Sequence, residues 1–361
     1  MIWQWLAGIR FQIEKIPRQG REGGFPSLSI LKPLKGCDSQ TEGCLASWLK
    51  QNYPGEVELL FGIASPDDPV RGVVEKLLAS SNAVRGELII CDPLLGSNAK
   101  VSSLCHMMKR AKHEIIVVAD DDVVIQDGFL QELAAGFRNP EVGLVNCFYF
   151  IEPKNWAMRF EAIAVNADFW TQVLQGLMLK PMDFALGAVM ATRREMLGKL
   201  GGFESLLEYL ADDYQLGNKV AKTGAKLQIC PTPVECRSDP LSAKQVWNHQ
   251  LRWARTIRVC QPVPYFFSII SNPTLWPLLA CIFGAPGGKW LLLSAMIARI
   301  GTGAFSYKKL SGLPALVPGL LSPIKDLFSA AIWLLSFTGN KITWRGTLFR
   351  VNRGGKLTRI A

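Results

Sequence analysis

The stretch Ile115-Ile116-Val117-Val118-Ala119-Asp120-Asp121-Asp122 is the most informative part of the sequence for the fold. Its first five residues are apolar and four of them are β-branched, a composition typical of a buried strand. Three carboxylates follow without a break. A buried strand that ends in charged residues is typical of a central strand in an α/β sheet, where ligands bind beyond the strand ends.

Strands and helices alternate along the first part of the chain. The strand-like runs are 27–32, 56–63, 87–91 and 114–119, and the stretches with helical spacing between them are 42–51, 70–79 and 100–112. Pro33 is expected to end the first strand. This alternation predicts a parallel sheet in an α/β domain.

Acidic side chains follow three of these strands. Asp67 and Asp68 come after the second strand, Asp92 after the third, and residues 120–122 after the fourth. Because ligands bind beyond the carboxyl ends of parallel strands, we expect these side chains to line a site at that edge of the sheet.

Asp120 and Asp122 point to the same side of an extended chain, since side chains alternate with a period of two. Like charges in one place are costly unless a cation balances them. A hard divalent cation, Mg²⁺ or Mn²⁺, held by one or two carboxylates and by substrate phosphates, meets this need. A solvated acidic turn is the alternative interpretation of the triplet.

A second acidic pair, Asp212-Asp213, follows the apolar stretch 206–210. Acids that open a helix are often only partners of its dipole. A carboxylate in an apolar setting can also be basic enough to remove a proton from a hydroxyl group.

A basic and aromatic stretch, His249-Gln250-Leu251-Arg252-Trp253, precedes the apolar C-terminal region. At helical spacing Arg252 and Arg255 share a face that suits the phosphate oxygens of a nucleotide or of lipid head groups. A basic helix beside a membrane, without a catalytic role, is the alternative.

Charge and hydropathy divide the chain of 361 residues into two parts. The formal net charge is +10, but the residues from Pro240 onward contain 15 lysines or arginines against one acidic residue, Asp326. The overall mean hydropathy is +0.16. A mildly acidic first part and a basic, apolar second part predict a soluble domain joined to a membrane-attached segment. No DNA- or RNA-binding motif accompanies the positive charge, so nucleic acid is not an expected partner.

Three apolar runs, 265–285, 290–305 and 316–337, have about the length of a membrane-spanning helix. A buried helical hairpin of a soluble domain is the alternative. Three full crossings would place the basic tail on the side opposite the catalytic domain, against the positive-inside tendency, so one run is a candidate re-entrant or interfacial segment. The nine cysteines show no metal-site spacing, and reduced core thiols place the catalytic part at the cytoplasmic face.

The order of these motifs resembles the inverting family 2 glycosyltransferases and, more closely, the family 21 ceramide glucosyltransferases. The resemblance covers nearly the whole chain. It is carried by Ser29-Ile30-Leu31-Lys32-Pro33-Leu34-Lys35-Gly36, by Asp67-Asp68-Pro69, by Gly96-Ser97-Asn98-Ala99-Lys100 and by Trp344-Arg345-Gly346. Bacterial hopanoid glycosyltransferases are similar over the same segments.

The resemblance implies a role for each matching residue. The residues implied to bind the nucleotide-sugar are Asp68, Lys100, Asp120, Asp122 and Arg252; the metal ligands are Asp120 and Asp122; the general base is Asp213, and Arg252 with Trp253 completes the catalytic set. Two features depart from the family. His249 stands where the family usually has Gln or Arg, and the family's N-terminal spanning helix is missing or reduced to residues 1–11.

The expected architecture is α/β, a nucleotide-diphospho-sugar transferase (GT-A, Rossmann-like) domain followed by C-terminal membrane helices. The expected boundaries are an N-terminal segment at 1–26, the catalytic domain at 27–240, an amphipathic segment with the x-x-Arg-Trp motif at 241–263, membrane-associated helices at 264–338 and a basic tail at 339–361. The start of the chain is a candidate interfacial anchor.

The expected activity is transfer of a hexose, glucose first among the candidates, from a UDP-sugar to the hydroxyl of a ceramide-type lipid at a membrane of the bacterial inner-membrane type. A hopanoid or a diacylglycerol is the alternative acceptor, with N-acetylglucosamine as an alternative sugar. A processive polysaccharide synthase shares the motifs but needs more spanning helices. An inactive membrane scaffold is the alternative from another class, and the intact carboxylates argue against it.

Overall fold

The computed structural model describes residues 1–13, 24–80, 84–344 and 346–360. Arg345, one of the residues that carry the family resemblance, lies outside the described residues, as does most of the linker after the N-terminal segment. The chain forms two compact units. The first comprises residues 13–149 and 180–239, and the second comprises residues 1–12, 150–179 and 240–361. Residues 150–179, which fall inside the expected catalytic segment 27–240, thus group with the C-terminal region.

The strands are β1 Leu28–Leu34, β2 Val57–Ile63, β3 Arg85–Ile90, β4 Ile115–Ala119, β5 Val123–Val124, β6 Val142–Ile151, β7 Val189–Arg193, β8 Lys226–Cys236, β9 Lys341–Trp344, β10 Thr347–Val351 and β11 Leu357–Arg359. The helices are α1 Ile2–Arg10, α2 Thr41–Leu49, α3 Val70–Ser80, α4 Ala99–Met108, α5 Phe129–Ala135, α6 Trp156–Ile163, α7 Trp170–Leu177, α8 Arg194–Lys199, α9 Asp212–Lys222, α10 Ala243–Cys260, α11 Pro262–Phe267, α12 Leu275–Ile282, α13 Gly288–Ser311 and α14 Leu316–Ser336.

The first unit is built on an eight-stranded sheet in the order β3-β2-β1-β4-β7-β6-β8-β5. The first four strands run parallel, as the sequence predicts. The later strands do not: β7 is antiparallel to β4, β6 to β7 and β5 to β8. The α/β prediction is confirmed: the four strands from which it was made are parallel, and they form part of a larger mixed sheet.

Alternate residues of the central strands build two hydrophobic cores, one on each face of the sheet. Ile30 and Val117 pack with side chains of α2, α3 and α5 on one face. Leu31 and Ile116 pack with side chains of α4, α8 and α9 on the other. A sheet covered on both faces explains why β4 reads as a continuous apolar run in the sequence.

Pro33 does not end the first strand, which continues to Leu34. The pairing explains the difference. Partners on β4 extend only to Leu31, while Pro33 lies opposite Gly62 of β2. The residue that lacks an N–H group therefore lies beyond the doubly paired part of the strand, where proline is tolerated.

The second unit is mainly helical, with a three-stranded antiparallel sheet in the order β11-β10-β9. Its helices are α1, α6, α7 and α10 to α14, and a π-helical segment, Ala164–Phe169, joins α6 to α7. Short π-helical segments inside helices are rare and occur often at functional sites.

Among the described residues, α14 is the one helix that is long and apolar enough by itself to cross a membrane. Residues Pro262–Ser271 and α12 meet the same criterion only as a pair, which is bent by 53° at the break between them. The remaining expected run, 290–305, lies in α13, which carries Arg299, Lys308 and Lys309.

Candidate active site

The acidic loop after β4 is held in place through its backbone. The Asp120 N–H donates to the Ala188 carbonyl (3.1 Å), and the Asp122 carbonyl accepts from the Arg237 N–H (2.9 Å). The indole of Trp48, on α2, donates to the Val123 carbonyl (2.9 Å). Neighbouring strands and α2 thus fix the direction in which the carboxylates leave the sheet.

Lys32, a residue to which the sequence analysis gave no role, lies directly beneath this loop. Its side chain is fully buried in β1, and its ammonium donates to the Asp120 carbonyl (2.5 Å) and lies 4.5 Å from the Trp48 ring centroid. Burial lowers the pKa of Lys32 to about 8, against the opposing effect of the three carboxylates. The one available signal was a charged residue inside a strand whose other residues, apart from Ser29, are apolar.

Lys100 connects the two acidic segments. It lies in the first turn of α4, where the Asn98 side chain caps the helix by accepting from the Val101 N–H. Its ammonium is 2.6 Å from the Asp120 carboxylate and 3.4 Å from that of Asp212. Although burial alone would lower it, these two carboxylates raise the pKa of Lys100 above its ordinary value. The structure therefore brings the predicted residues of the β4 loop and of α9 into one site.

The carboxylate of Asp122 suits a divalent cation. Burial, and then the charges of Asp120 and Asp121, raises its pKa to about 8, so a cation close to it would be needed to keep it ionised near neutral pH. The carboxylate oxygens of Asp122 are hard ligands, the type that Mg²⁺ and Mn²⁺ prefer. Within the described part of the chain, no cluster of three or more His, Cys, Asp or Glu residues is arranged as a complete metal site. Asp120 and Asp122 therefore fit a metal that takes its other ligands from a diphosphate and water.

Asp213 opens α9 beside Asp212, but the two carboxylates have different surroundings. Asp212 is buried and paired with Lys100. Asp213 is half-buried and accepts from the Tyr214 N–H (2.7 Å). Burial, and then the charge of Asp212, raises the pKa of Asp213 from 3.8 to about 6. A carboxylate of this basicity is suited to take a proton near neutral pH.

Gly187 makes room for Asp213. A Cβ atom at position 187 would lie 2.6 Å from the Asp213 Oδ2 atom, closer than a carbon–oxygen contact allows. No sequence signal marked this glycine, because the contact joins two segments that are distant along the chain.

On the prediction that Asp213 is the general base, we expect Gly187→Ala to displace its carboxylate and to lower kcat by about 10–100-fold, because small displacements of a catalytic group cost rate. The KM for the nucleotide-sugar should change little. Gly198→Ala is the matched control, since a Cβ atom there meets nothing within 4 Å. Steady-state kinetics of the two variants test this, and equal kcat values would contradict the assigned contact.

Asp68 shapes the loop after β1. Its carboxylate accepts from the Gly36 N–H (2.9 and 3.1 Å) and from the Val70 N–H (3.1 Å) at the start of α3. Gly36 has a φ of +71°, a conformation that favours glycine. These bonds fix the ends of β1 and β2 relative to each other, and nucleotide binding by Asp68 stays a prediction.

Arg252 and Trp253 lie on α10 in the second unit, together with the unassigned residue His249. The His249 Nδ1 atom is 2.5 Å from the Glu161 carboxylate, and its ring centroid is 4.5 Å from that of Trp253. Glu161, on α6, is buried and was not marked by the sequence. The roles of Arg252 and Trp253 stay predictions.

The fold and the site define a class, the nucleotide-sugar glycosyltransferases of the GT-A fold. The family model "Glycosyl transferase family 21" matches residues 5–357. The chain therefore belongs to glycosyltransferase family 21. It is a hexosyltransferase, and the family and enzyme class expected from the sequence are confirmed.

Curated relatives and a solved structure are similar to this chain. Ceramide glucosyltransferase 3 of Caenorhabditis elegans is 22% identical over 354 residues, which span 93% of this chain and 75% of that protein. The ceramide glucosyltransferase of Candida albicans is 29% identical over 126 residues, 32% of this chain and 23% of that protein. A mannosyltransferase from Pyrobaculum calidifontis, solved with GDP-Man and Mn²⁺, has a TM-score of 0.54 at 17% identity and covers 93% of both chains.

Proposed function

We propose that this protein transfers glucose from UDP-glucose to the hydroxyl of a ceramide-type lipid in the membrane, with inversion at the anomeric carbon. The main support is the arrangement of Asp213, whose basicity is raised, on the same helix as Asp212, which Lys100 links to the β4 loop. The side chain of Lys100 thereby links the helix that carries the proposed base to the loop proposed to bind the diphosphate. The similarity to ceramide glucosyltransferases supports the sugar and the lipid class.

In this mechanism the hydroxyl oxygen of the acceptor attacks the anomeric carbon of the sugar, and Asp213 takes the proton of that hydroxyl. Lys100 keeps α4, α9 and the β4 loop together and places positive charge beside the departing diphosphate. Lys32 holds the backbone of the loop from beneath. A divalent metal bound by Asp120 and Asp122 would neutralise charge on the diphosphate. Asp68 contacts the nucleotide-sugar, as the family resemblance implies.

The proposal places the catalytic unit at the cytoplasmic face of the membrane. All nine cysteines are free thiols, as expected in a reducing compartment. The apolar helices of the second unit, α14 above all, support attachment to the bilayer in which a two-tailed acceptor resides.

Incubation of the detergent-solubilised protein with a panel of donors and acceptors tests the function. The donors are UDP-glucose, UDP-galactose and UDP-N-acetylglucosamine, and the acceptors are ceramide, diacylglycerol and a hopanoid. We expect a β-glucosylated ceramide, inverted relative to the α-linked donor. A retained anomer would overturn the mechanism, preference for another acceptor would overturn the lipid class, and absence of any transfer would favour an inactive scaffold.

Metal dependence is tested by chelation and by Asp122→Asn. We expect excess chelator to abolish turnover and Mg²⁺ or Mn²⁺ to restore it, because the carboxylates and the diphosphate otherwise repel each other. Asp122→Asn should weaken UDP-sugar binding as well as rate, whereas Asp127→Asn, an exposed acid further along the same segment, should change neither. Full activity in excess chelator would show that no metal takes part.

A further inference from the structure

Residues 272–274, which form the break between Pro262–Ser271 and α12, are hydrogen-bonded to the middle of α14. The Thr274 hydroxyl donates to the Asp326 carboxylate (2.7 Å), and the Asn272 side-chain amide donates to the Asp326 carbonyl (2.9 Å). The indole of Trp276 reaches back across the break to the Ile269 carbonyl (2.9 Å). Asp326 is the central residue of α14, so the break lies at half the height of that helix.

The start of the bent pair lies near the C-terminal end of α14. The Tyr265 hydroxyl is hydrogen-bonded to the Ser336 hydroxyl (3.0 Å), and the Trp333 indole donates to the Tyr265 carbonyl (3.0 Å). Arg258, at the end of α10, donates to the Gly339 carbonyl (3.0 Å). The chain thus enters this helical layer at the height where the C-terminal tail leaves it.

The end of the bent pair lies at the same height. α13 is antiparallel to α14, since Arg299 faces Asp326 and a Cβ atom at Gly303 would touch Ser322. Gly288, which packs against the backbone of Ala280, is eleven residues before Arg299, or about 16 Å along the helix. Because the two helices are antiparallel, moving from Arg299 back to Gly288 corresponds to moving from Asp326 toward Ser336. Ser336 is about 15 Å from Asp326 along α14, so Gly288 and the end of α12 lie near the height of Ser336.

The charges at mid-height balance one another. Two acids, Asp168 and Asp326, pair with two bases, Arg299 and Lys325. The side chains of Arg299, Lys325 and Asp326 are buried, and that of Asp168 is 13% exposed. Asp168 belongs to the π-helical segment between α6 and α7. Polar groups inside a bilayer must find partners within the protein, and this cluster together with Thr274 and Asn272 meets that condition.

The outer surface of the same layer is apolar and includes one exposed lysine, Lys289. Phe267 and Ile270 are more than half exposed before the break, and Phe283 and Trp290 are 81% and 76% exposed after it. Lys289, which precedes Trp290, is exposed as well. Large apolar side chains beside exposed lysine suit the boundary between lipid tails and anionic head groups.

We propose that α11 and α12 form a re-entrant hairpin, which enters the lipid bilayer, turns at the break held by Asp326, and leaves on the face it entered. The partner of this surface is the bilayer itself. The end of α10, the turn 284–287 and the start of the basic tail then share one face, which removes the conflict between three crossings and the positive-inside tendency. The inference rests on the membrane attachment in the proposed function.

Labelling of single cysteines in sealed membrane vesicles of both orientations tests the hairpin. The four native cysteines that are not buried, Cys37, Cys236, Cys260 and Cys281, are first replaced by serine in the full-length chain. Single cysteines are then introduced by Ala285→Cys in the turn, Lys244→Cys on α10 and Thr343→Cys on β9, all at exposed positions. We expect a membrane-impermeant maleimide to label all three in the same vesicle orientation and none in the other.

Labelling of Ala285→Cys only in the orientation opposite to Lys244→Cys, or in neither, would overturn the hairpin in favour of a broken span or a wholly buried turn. Pro286→Cys repeats the measurement at the neighbouring exposed position, and retained UDP-sugar turnover shows that each variant is folded. Extraction of the protein by carbonate without detergent would instead overturn membrane attachment. The failure of the hairpin and that of the proposed function are therefore distinguishable.

Discussion

Asp213→Asn is expected to lower acceptor turnover by about 10²–10⁴-fold and to leave UDP-sugar affinity nearly unchanged. The amide keeps the size and shape of the carboxylate but cannot accept a proton. Turnover and donor binding are measured separately, by product formation and by calorimetry. Glu204→Gln, a change at an exposed acid just before α9, is the matched control and should behave as the unmodified protein does.

The pH dependence of the unmodified enzyme provides a second readout for Asp213. Its pKa of about 6 means that the base is ionised above pH 6 and protonated below it. We expect kcat to be nearly constant above that pH and to fall about tenfold per unit below it. A kcat that stayed constant down to pH 4, or an Asp213→Asn variant with normal turnover, would show that another group is the base.

The same substitution should not destabilise the fold. Because the pKa of Asp213 rises from 3.8 to about 6 on folding, ionisation of this group opposes folding. That cost is absent below pH 3.8 and fully present above pH 6. At pH 7, Asp213→Asn should therefore unfold at an equal or higher temperature, which separates loss of a base from loss of structure.

The parts of the fold that the sequence predicted are those set by local patterns. β4 and the helices beside it carry continuous or periodic apolar residues, and the acidic loop follows its strand directly. The antiparallel pairing of β7 with β4 was not predictable in this way, because it depends on which segments meet after the chain has folded.

The active site shows the same division. Asp120, Asp122 and Asp213 were predicted from their sequence context and from the family resemblance, whereas Lys32 and Gly187 make contacts with residues far away in sequence. The lysine gave only a weak signal, as a charged residue within a largely apolar strand, and the glycine has no distinguishing local pattern. Their roles follow from the 2.5 Å bond to the Asp120 carbonyl and from the space that Asp213 needs.

The charged pair inside the last apolar run is a further example. Lys325 and Asp326 were visible in the sequence as interruptions of that run, but their partners Arg299 and Asp168 were not. In the structure the Arg299 guanidinium donates to both Asp326 oxygens (2.8 and 2.9 Å), and Asp168 contacts both Arg299 and Lys325. Together these side chains connect three helical elements, which are α13, α14 and the π-helical segment Ala164–Phe169.

Asp326→Asn is expected to destabilise the second unit strongly, by about 3–5 kcal/mol, because it leaves a buried positive charge without its partner. Asp326 is only 2% exposed, so water has little access to solvate the positive charge that the variant leaves unpaired. The Asp326 carboxylate also accepts a hydrogen bond from the Thr274 hydroxyl. Thermal unfolding of the detergent-solubilised protein measures the effect. Glu152→Gln, at an exposed acid in the same unit, is the control and should change the unfolding temperature little.

A charge-balanced variant distinguishes loss of charge pairing from loss of packing. Lys325 pairs with Asp168 and Asp326, so Asp326→Asn combined with Lys325→Met removes one charge of each sign and leaves Arg299 paired with Asp168. If the uncompensated charge causes the instability, the double variant should be more stable than Asp326→Asn alone, since replacing a buried pair by apolar groups is often nearly neutral. A double variant less stable than the single one would show instead that the shapes and hydrogen bonds of these side chains, and not their net charge, hold the helices together.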